Sequence, residues 1–182
     1  HMMGKTRSIS VSAVLLLGWI LSISDVAGET EESTMSDAEK QQKIETLYVK
    51  YERKFPTVEG ITAPELMQSL EEGGEYILVD VRKPKEQEVS MIPGAITQQE
   101  FEDRSEELRG KTVVTYCTAG YRSGLYAKKI QTKGWQVLNL EGSLLAWTHA
   151  GGPLEDSQGP TKRVHVYSAD WSLEAAGYEP IW

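Results

Sequence analysis

The chain is short of cysteine, of histidine and of positive charge, and each shortage closes off a class of function. Cys117 is the sole cysteine among 182 residues, so no disulfide can form within the chain. Three histidines, one of them the first residue, leave almost no ligands for a metal site. Asp and Glu number 27 against 19 Lys and Arg, and the net charge of -8 argues against general nucleic-acid binding. An anionic ligand would therefore depend on local attraction rather than on a basic surface. Internal repeats and low-complexity tracts are absent from the sequence. What remains is 40% hydrophobic and 25% charged, which suits one soluble core with extensions.

His1 and Met2 (residues 1–2) read as an expression scar ahead of Met3. Lys5 and Arg7 then precede an apolar stretch at 9–23, followed by small residues up to Gly28. Residues 3–28 are thus expected to be a signal peptide, cleaved near Gly28 or at Ser24, on a chain exported to the periplasm or secreted. The run is shorter than the roughly 18–20 residues of a comfortable membrane span, and an uncleaved anchor, the only route to a membrane, is the alternative. Met3 to Ser8 also fits a myristoylation pattern, but the apolar run behind it favours the leader. In an exported chain a lone cysteine fits a catalytic or carrier thiol, with an intermolecular disulfide as the competing reading.

Residues 29–37 are polar and acidic, as a linker would be. Ser36 and Glu39 then form a capping-box pattern, opening an N-terminal helix with Ile44, Leu47, Tyr48 and Tyr51 on one side. Thr62 and Glu65 repeat the signal, and Gly73-Gly74 stops that second helix. Residues 76–81, 113–116 and 136–140 are apolar runs expected to be buried parallel strands, alternating with helices such as 125–131. Beyond a turn-rich break at 153–160, residues 162–167 alternate like an exposed strand. Trp171, Tyr178 and Trp182 make the end too aromatic for a free tail. The domain is expected over 38–152, with residues 153–182 packed on it as a C-terminal extension.

The segment from Cys117 to Gly124 joins a buried strand to a helix. A tight turn there aims backbone N–H groups and a helix N-terminus at the sulfur, favouring a thiolate or a bound anion. Gly120 permits the turn, and Arg122 is expected to brace the loop, to hold an anion, or both.

This loop resembles the active-site loop of the rhodanese family of single-domain sulfurtransferases. Asp80-Val81-Arg82-Lys83-Pro84-Lys85-Glu86 resembles that family's Asp-Val-Arg-x-Pro-x-Glu segment. Ile92-Pro93-Gly94-Ala95 resembles its Ile-Pro-Gly-Ala turn, and residues 139–147 resemble its closing Gly-Gly-x-x-x-Trp segment. The departures are Ser90-Met91 in place of Gly-His, Gln87 in place of an aromatic residue, and Ser143 in place of the second closing glycine.

The resemblance implies an α/β fold: an open parallel sheet flanked by helices on both faces. It implies sulfur transfer through a Cys117 persulfide, from a small sulfur-containing anion such as thiosulfate to a thiol or cyanide, without cofactor or metal. Cys117 and Arg122 are the expected catalytic residues, and Thr118, Ala119, Gly120, Tyr121 and Ser123 the expected substrate-binding residues. Thr118 and Tyr121 are placed at the pocket mouth. Asp80 and Arg82 are weighed as supporting residues, and Arg82 and Glu86 are spaced to pair with each other. Four residues separate Cys117 from Arg122. Cysteine phosphatases and arsenate reductases use a longer loop, which weighs against oxyanion hydrolysis. A non-catalytic binding module of the same fold is the alternative function.

Overall fold

The computed structural model describes residues 34–182. The expected scar, the signal peptide and most of the linker lie outside the described residues.

Helix α1 (Asp37–Glu52) begins where Ser36 accepts the Glu39 N–H, and the Glu39 carboxylate accepts the Ser36 N–H at 2.8 Å. This satisfies donors that a helix start otherwise leaves unpaired. Strand β1 (Glu59–Ile61) leads to helix α2 (Ala63–Glu71), which opens on the same reciprocal cap between Thr62 and Glu65. There follow β2 (Tyr76–Asp80), the short α3 (Pro84–Gln87), β3 (Ile96–Thr97) and α4 (Gln98–Asp103). Strand β4 (Thr112–Tyr116), α5 (Tyr121–Gln131), β5 (Val137–Leu140) and α6 (Ser143–His149) complete the alternation.

The five strands pair in the order β1-β5-β4-β2-β3, all parallel. Successive side chains of a strand point to opposite faces. Ile77, Val79, Val113 and Val137 accordingly pack with Tyr48, Phe55, Phe101, Tyr126 and Trp135 from α1, α4, α5 and the adjoining loops. Leu78, Val114, Tyr116 and Leu140 pack on the other face with Leu66, Leu144 and Trp147 from α2 and α6. Helices on both faces leave no side of the sheet for water, which is why β2 and β4 are buried along nearly their whole length. Among the described residues no helix is long and apolar enough to cross a membrane.

The extension adds an antiparallel hairpin, β6 (Leu154–Asp156) with β7 (Gly159–Thr161), and a parallel pair, β8 (Arg163–His165) with β9 (Glu179–Ile181). A 3₁₀ turn at Ala169–Trp171 lies between the last two strands. The expectation of an exposed strand at 162–167 is corrected here. Val164, His165 and Val166 are buried, with Val164 in the core under α6 and Val166 against Ala119. The alternating pattern describes one covered face in a sheet, whereas this strand is covered by several elements at once.

Candidate active site

Strand β4 lies in the middle of the sheet, and Cys117 follows its last residue. The carboxyl ends of strands are where open α/β sheets hold ligands. The turn into α5 is set by Gly120, the N-cap, whose φ of 101° lies in the left-handed region that favours glycine. A β-carbon there would also stand 2.8 Å from the Tyr48 ring. Helix α5 therefore starts at Tyr121, a turn earlier than its apolar residues alone indicate.

The loop carbonyls are pinned from outside. Leu144 N–H donates to Cys117 O at 3.2 Å and Leu145 N–H to Thr118 O at 3.1 Å, while Asn139 Nδ2 donates to Gly120 O at 3.0 Å. In a trans peptide the N–H opposes the C=O, so carbonyls held outward turn their partner amides inward. Gly120 N–H donates to Cys117 Sγ at 3.1 Å, and the Ser123 hydroxyl reaches it at 3.5 Å. Burial by itself would raise the thiol pKa. The Ser123 hydrogen bonds, the Arg122 charge and the Gly120 N–H outweigh it, and the pKa lies below the ordinary 9.0.

Arg122 is a brace. Its Nη1 and Nη2 each donate to a Glu86 carboxylate oxygen at 2.8 Å, and Nη2 also reaches Thr118 Oγ1 at 3.3 Å. Its Nε is buried without a protein partner. Burial pushes the Glu86 carboxyl up, but the Arg122 fork and the Lys83 N–H prevail and hold its pKa down to about 2. The expected Arg82–Glu86 pairing is thus corrected. Arg82 instead forms a buried ion pair with Asp80 at 2.7 Å and donates to Ser90 O at 2.6 Å. Two residues away on an extended turn, the Asp80 carboxylate accepts both the Arg82 N–H and its guanidinium, whereas the four-residue spacing to Glu86 crosses the start of α3, which faces it toward α5. Asp80 and Arg82 hold the segment that carries Glu86, and neither hydrogen-bonds within the Cys117 loop.

The remaining expected site residues divide. Ala119, Gly120 and Ser123 surround the sulfur or its turn and are buried. Thr118 is fully buried against Glu86 and Arg122, so its placement at a pocket mouth is corrected. Tyr121 is exposed and packs on Tyr51 of α1 at 5.2 Å between ring centroids. Among the described residues no cluster of three or more His, Cys, Asp or Glu could hold a metal ion.

Four contributors carried weaker signals in the sequence. Glu86 was legible as part of a segment but not as the partner of Arg122, 36 residues away. Asn139 and Tyr48, hydrogen-bonded to each other at 3.2 Å, support the Gly120 turn. Ser143 stands out by its backbone, with φ of 48°, the sole non-glycine residue in the left-handed region among the described residues. Its hydroxyl accepts the Cys117 N–H at 3.0 Å and lies 3.4 Å from Ser123 Oγ. The signal was its departure from the expected glycine.

A rhodanese-like domain family model matches residues 62–150. A sulfurtransferase from Allochromatium vinosum is 33% identical over 106 residues, 56% of this chain and 99% of that protein. The chain belongs to the rhodanese-like family. An uncharacterized protein from Synechocystis is 37% identical over 95 residues, and this chain spans about half of it, 53%. The thiosulfate sulfurtransferase of Pseudomonas aeruginosa superimposes with a TM-score of 0.53 at 25% identity, over 70% of this chain and 25% of that one. These relatives share the rhodanese-like module, and residues 153–182 lie beyond the family match.

Proposed function

We propose that this protein is a sulfurtransferase with Cys117 as nucleophile. The observation that carries the reading is the sulfur at the end of β4, holding the Gly120 N–H at 3.1 Å with its thiol pKa lowered. The Cys117 thiolate attacks the outer sulfur of a donor such as thiosulfate. The new S–S bond takes that sulfur, the old S–S bond breaks, and sulfite leaves with the bonding pair. The persulfide then sits among the loop amides. A thiolate or cyanide attacks its outer sulfur, and the bonding pair returns to Cys117 as thiolate. Residues 118–120 and Ser123 stabilise the anionic sulfur, and Arg122 holds the loop in that geometry through Glu86. Sulfurtransferase-named relatives support the class of reaction. We further propose export, on the strength of the leader pattern at 3–28.

The test is intact-protein mass after incubation with thiosulfate, and separately with polysulfide and a thiosulfonate, followed by cyanide. A one-sulfur gain that cyanide removes and Cys117→Ser lacks is the expected result. No gain with any donor would instead favour a binding module, a reading for which the buried state of residues 117–120 speaks.

A further inference from the structure

The loop that should meet substrate is covered. Cys117 is 1% exposed and Ala119 6% exposed, and all of residues 117–120 are buried. Most of the cover over Ala119 comes from outside the family match. Val166 and Leu173 of the C-terminal extension pack on it, with Ile44 of α1 and Leu145 of α6. The Tyr167 ring stands over the Arg122 guanidinium at 5.2 Å. A groove of about 550 Å³ between α1, α2 and α6 runs past Tyr48 and Gly142 but is not lined by residues 117–123, so it opens no way to the sulfur.

The covering strap is fastened at its two ends and free between them. At one end Ser90 Oγ donates to Arg163 O at 2.6 Å and Val166 N–H to Ile181 O at 2.7 Å. At the other, the His149 Nε2 meets Leu173 O at 2.8 Å, Lys40 Nζ donates to Glu174 O at 2.9 Å, and Ala175 N–H donates to Thr148 Oγ1 at 3.0 Å, so only the Leu173 side chain is free to swing. From 168 to 172 the backbone hydrogen bonds are local, Trp171 to Ser168 O and Ser172 to Ala169 O. A segment held to its surroundings by side-chain packing alone opens at lower cost than one laddered into a sheet.

Building on the sulfur-transfer reading, we propose that Tyr167 is a specificity-determining residue: with Val166 and Leu173 it closes the entrance to Cys117 and sets the size of donor and acceptor admitted. A compact anion with a terminal sulfur passes on a small displacement of the strap. A bulky thiol requires the Tyr167 ring to leave Arg122 and the Leu173 side chain to leave Ala119. Attack on the persulfide needs an approach along the S–S axis, so a cover over the loop discriminates in both half-reactions. Arg122, relieved of the ring, would turn its exposed edge to an incoming anion while Glu86 keeps the guanidinium in place.

The experiment uses the single thiol of the full chain, where every label reports Cys117. Alkylation by iodoacetamide is compared with alkylation by a maleimide bearing a polymer chain, each normalised to the same reagent's rate with free cysteine. The wild type is expected to react with the polymer reagent about a hundredfold slower than with iodoacetamide, as opening of a local segment would require. Tyr167→Ala and Leu173→Ala should each shrink that ratio about tenfold, and Tyr167→Phe should retain it. Cooperative thermal unfolding confirms that each variant is folded, and either alanine variant suffices for the comparison. A wild-type ratio near one, or folded alanine variants with the wild-type ratio, would overturn the proposal. Alkylation needs no sulfur transfer, so these outcomes are independent of whether a persulfide forms.

Discussion

Asp80 pairs with Arg82 two residues along the chain, while Glu86 reaches Arg122 across 36 residues. In the first pair both side chains are 0% exposed, and the arginine's other contact is a backbone carbonyl of the neighbouring turn. In the second, the arginine is 29% exposed and belongs to the loop that carries the thiol. A local, sealed pair holds a turn in shape. A long-range pair with one edge open ties a distant element to a working loop and keeps a charge near it. The comparison separates residues of one chemical type, within one short segment, by what each would cost to remove.

The largest stability loss should come from the sealed pair. Arg82→Met leaves Asp80 buried without its partner and is expected to cost about 3–5 kcal/mol, measured by urea unfolding. A loss near that of a surface arginine would erase the distinction between the pairs. Arg122→Met is expected to cost less stability, about 1–3 kcal/mol, because water can reach the vacated edge. Its larger effect should fall on chemistry. Persulfide formation from thiosulfate, followed by mass, is expected to slow about a hundredfold as the loop loses its brace and its charge. An unchanged rate would remove Arg122 from the site.

Glu86→Gln separates the two pairs through pH. A carboxyl whose folded pKa lies below its unfolded value contributes stability above the unfolded pKa, here near 4.5, and loses it as pH falls toward about 2. Wild-type stability should fall over that window. The glutamine variant, less stable at pH 7, should show a shallower fall, and parallel curves would contradict the brace. The smallest effect concerns Ser143. Ser143→Gly relieves a left-handed backbone worth about 1 kcal/mol and removes the acceptor of the Cys117 N–H, so net stability should change little. Persulfide formation should nonetheless slow, and a variant as fast as the wild type would show that the hydroxyl does nothing for the thiol.

Most of the fold was legible because its signals are local. The capping boxes at Ser36 and Thr62, and the apolar runs that became β2, β4 and β5, each depend on neighbours in sequence. The Cys117 loop was legible for the same reason, since strand, glycine turn and helix follow one another. Spacing alone pairs Glu86 with Arg82, because it offers no view of a partner on another helix. A loop residue beside a nucleophile is expected to be open, but Thr118 is closed off by Glu86 and Arg122, which reach it from distant parts of the chain or from the next helix. Ser143 shows in the sequence only as a departure from the resemblance's glycine, as no pattern in one sequence announces a φ of 48°.

The most direct test of the account is the pH dependence of Cys117 alkylation by a small reagent such as iodoacetamide. With the Ser123 hydroxyl, the Gly120 N–H and the Arg122 charge gathered on the sulfur, the rate should reach half its plateau below the ordinary thiol value of 9.0. A midpoint at or above that value would mean that burial prevails over the loop's donors, and would contradict the claim that this turn holds a thiolate ready to attack.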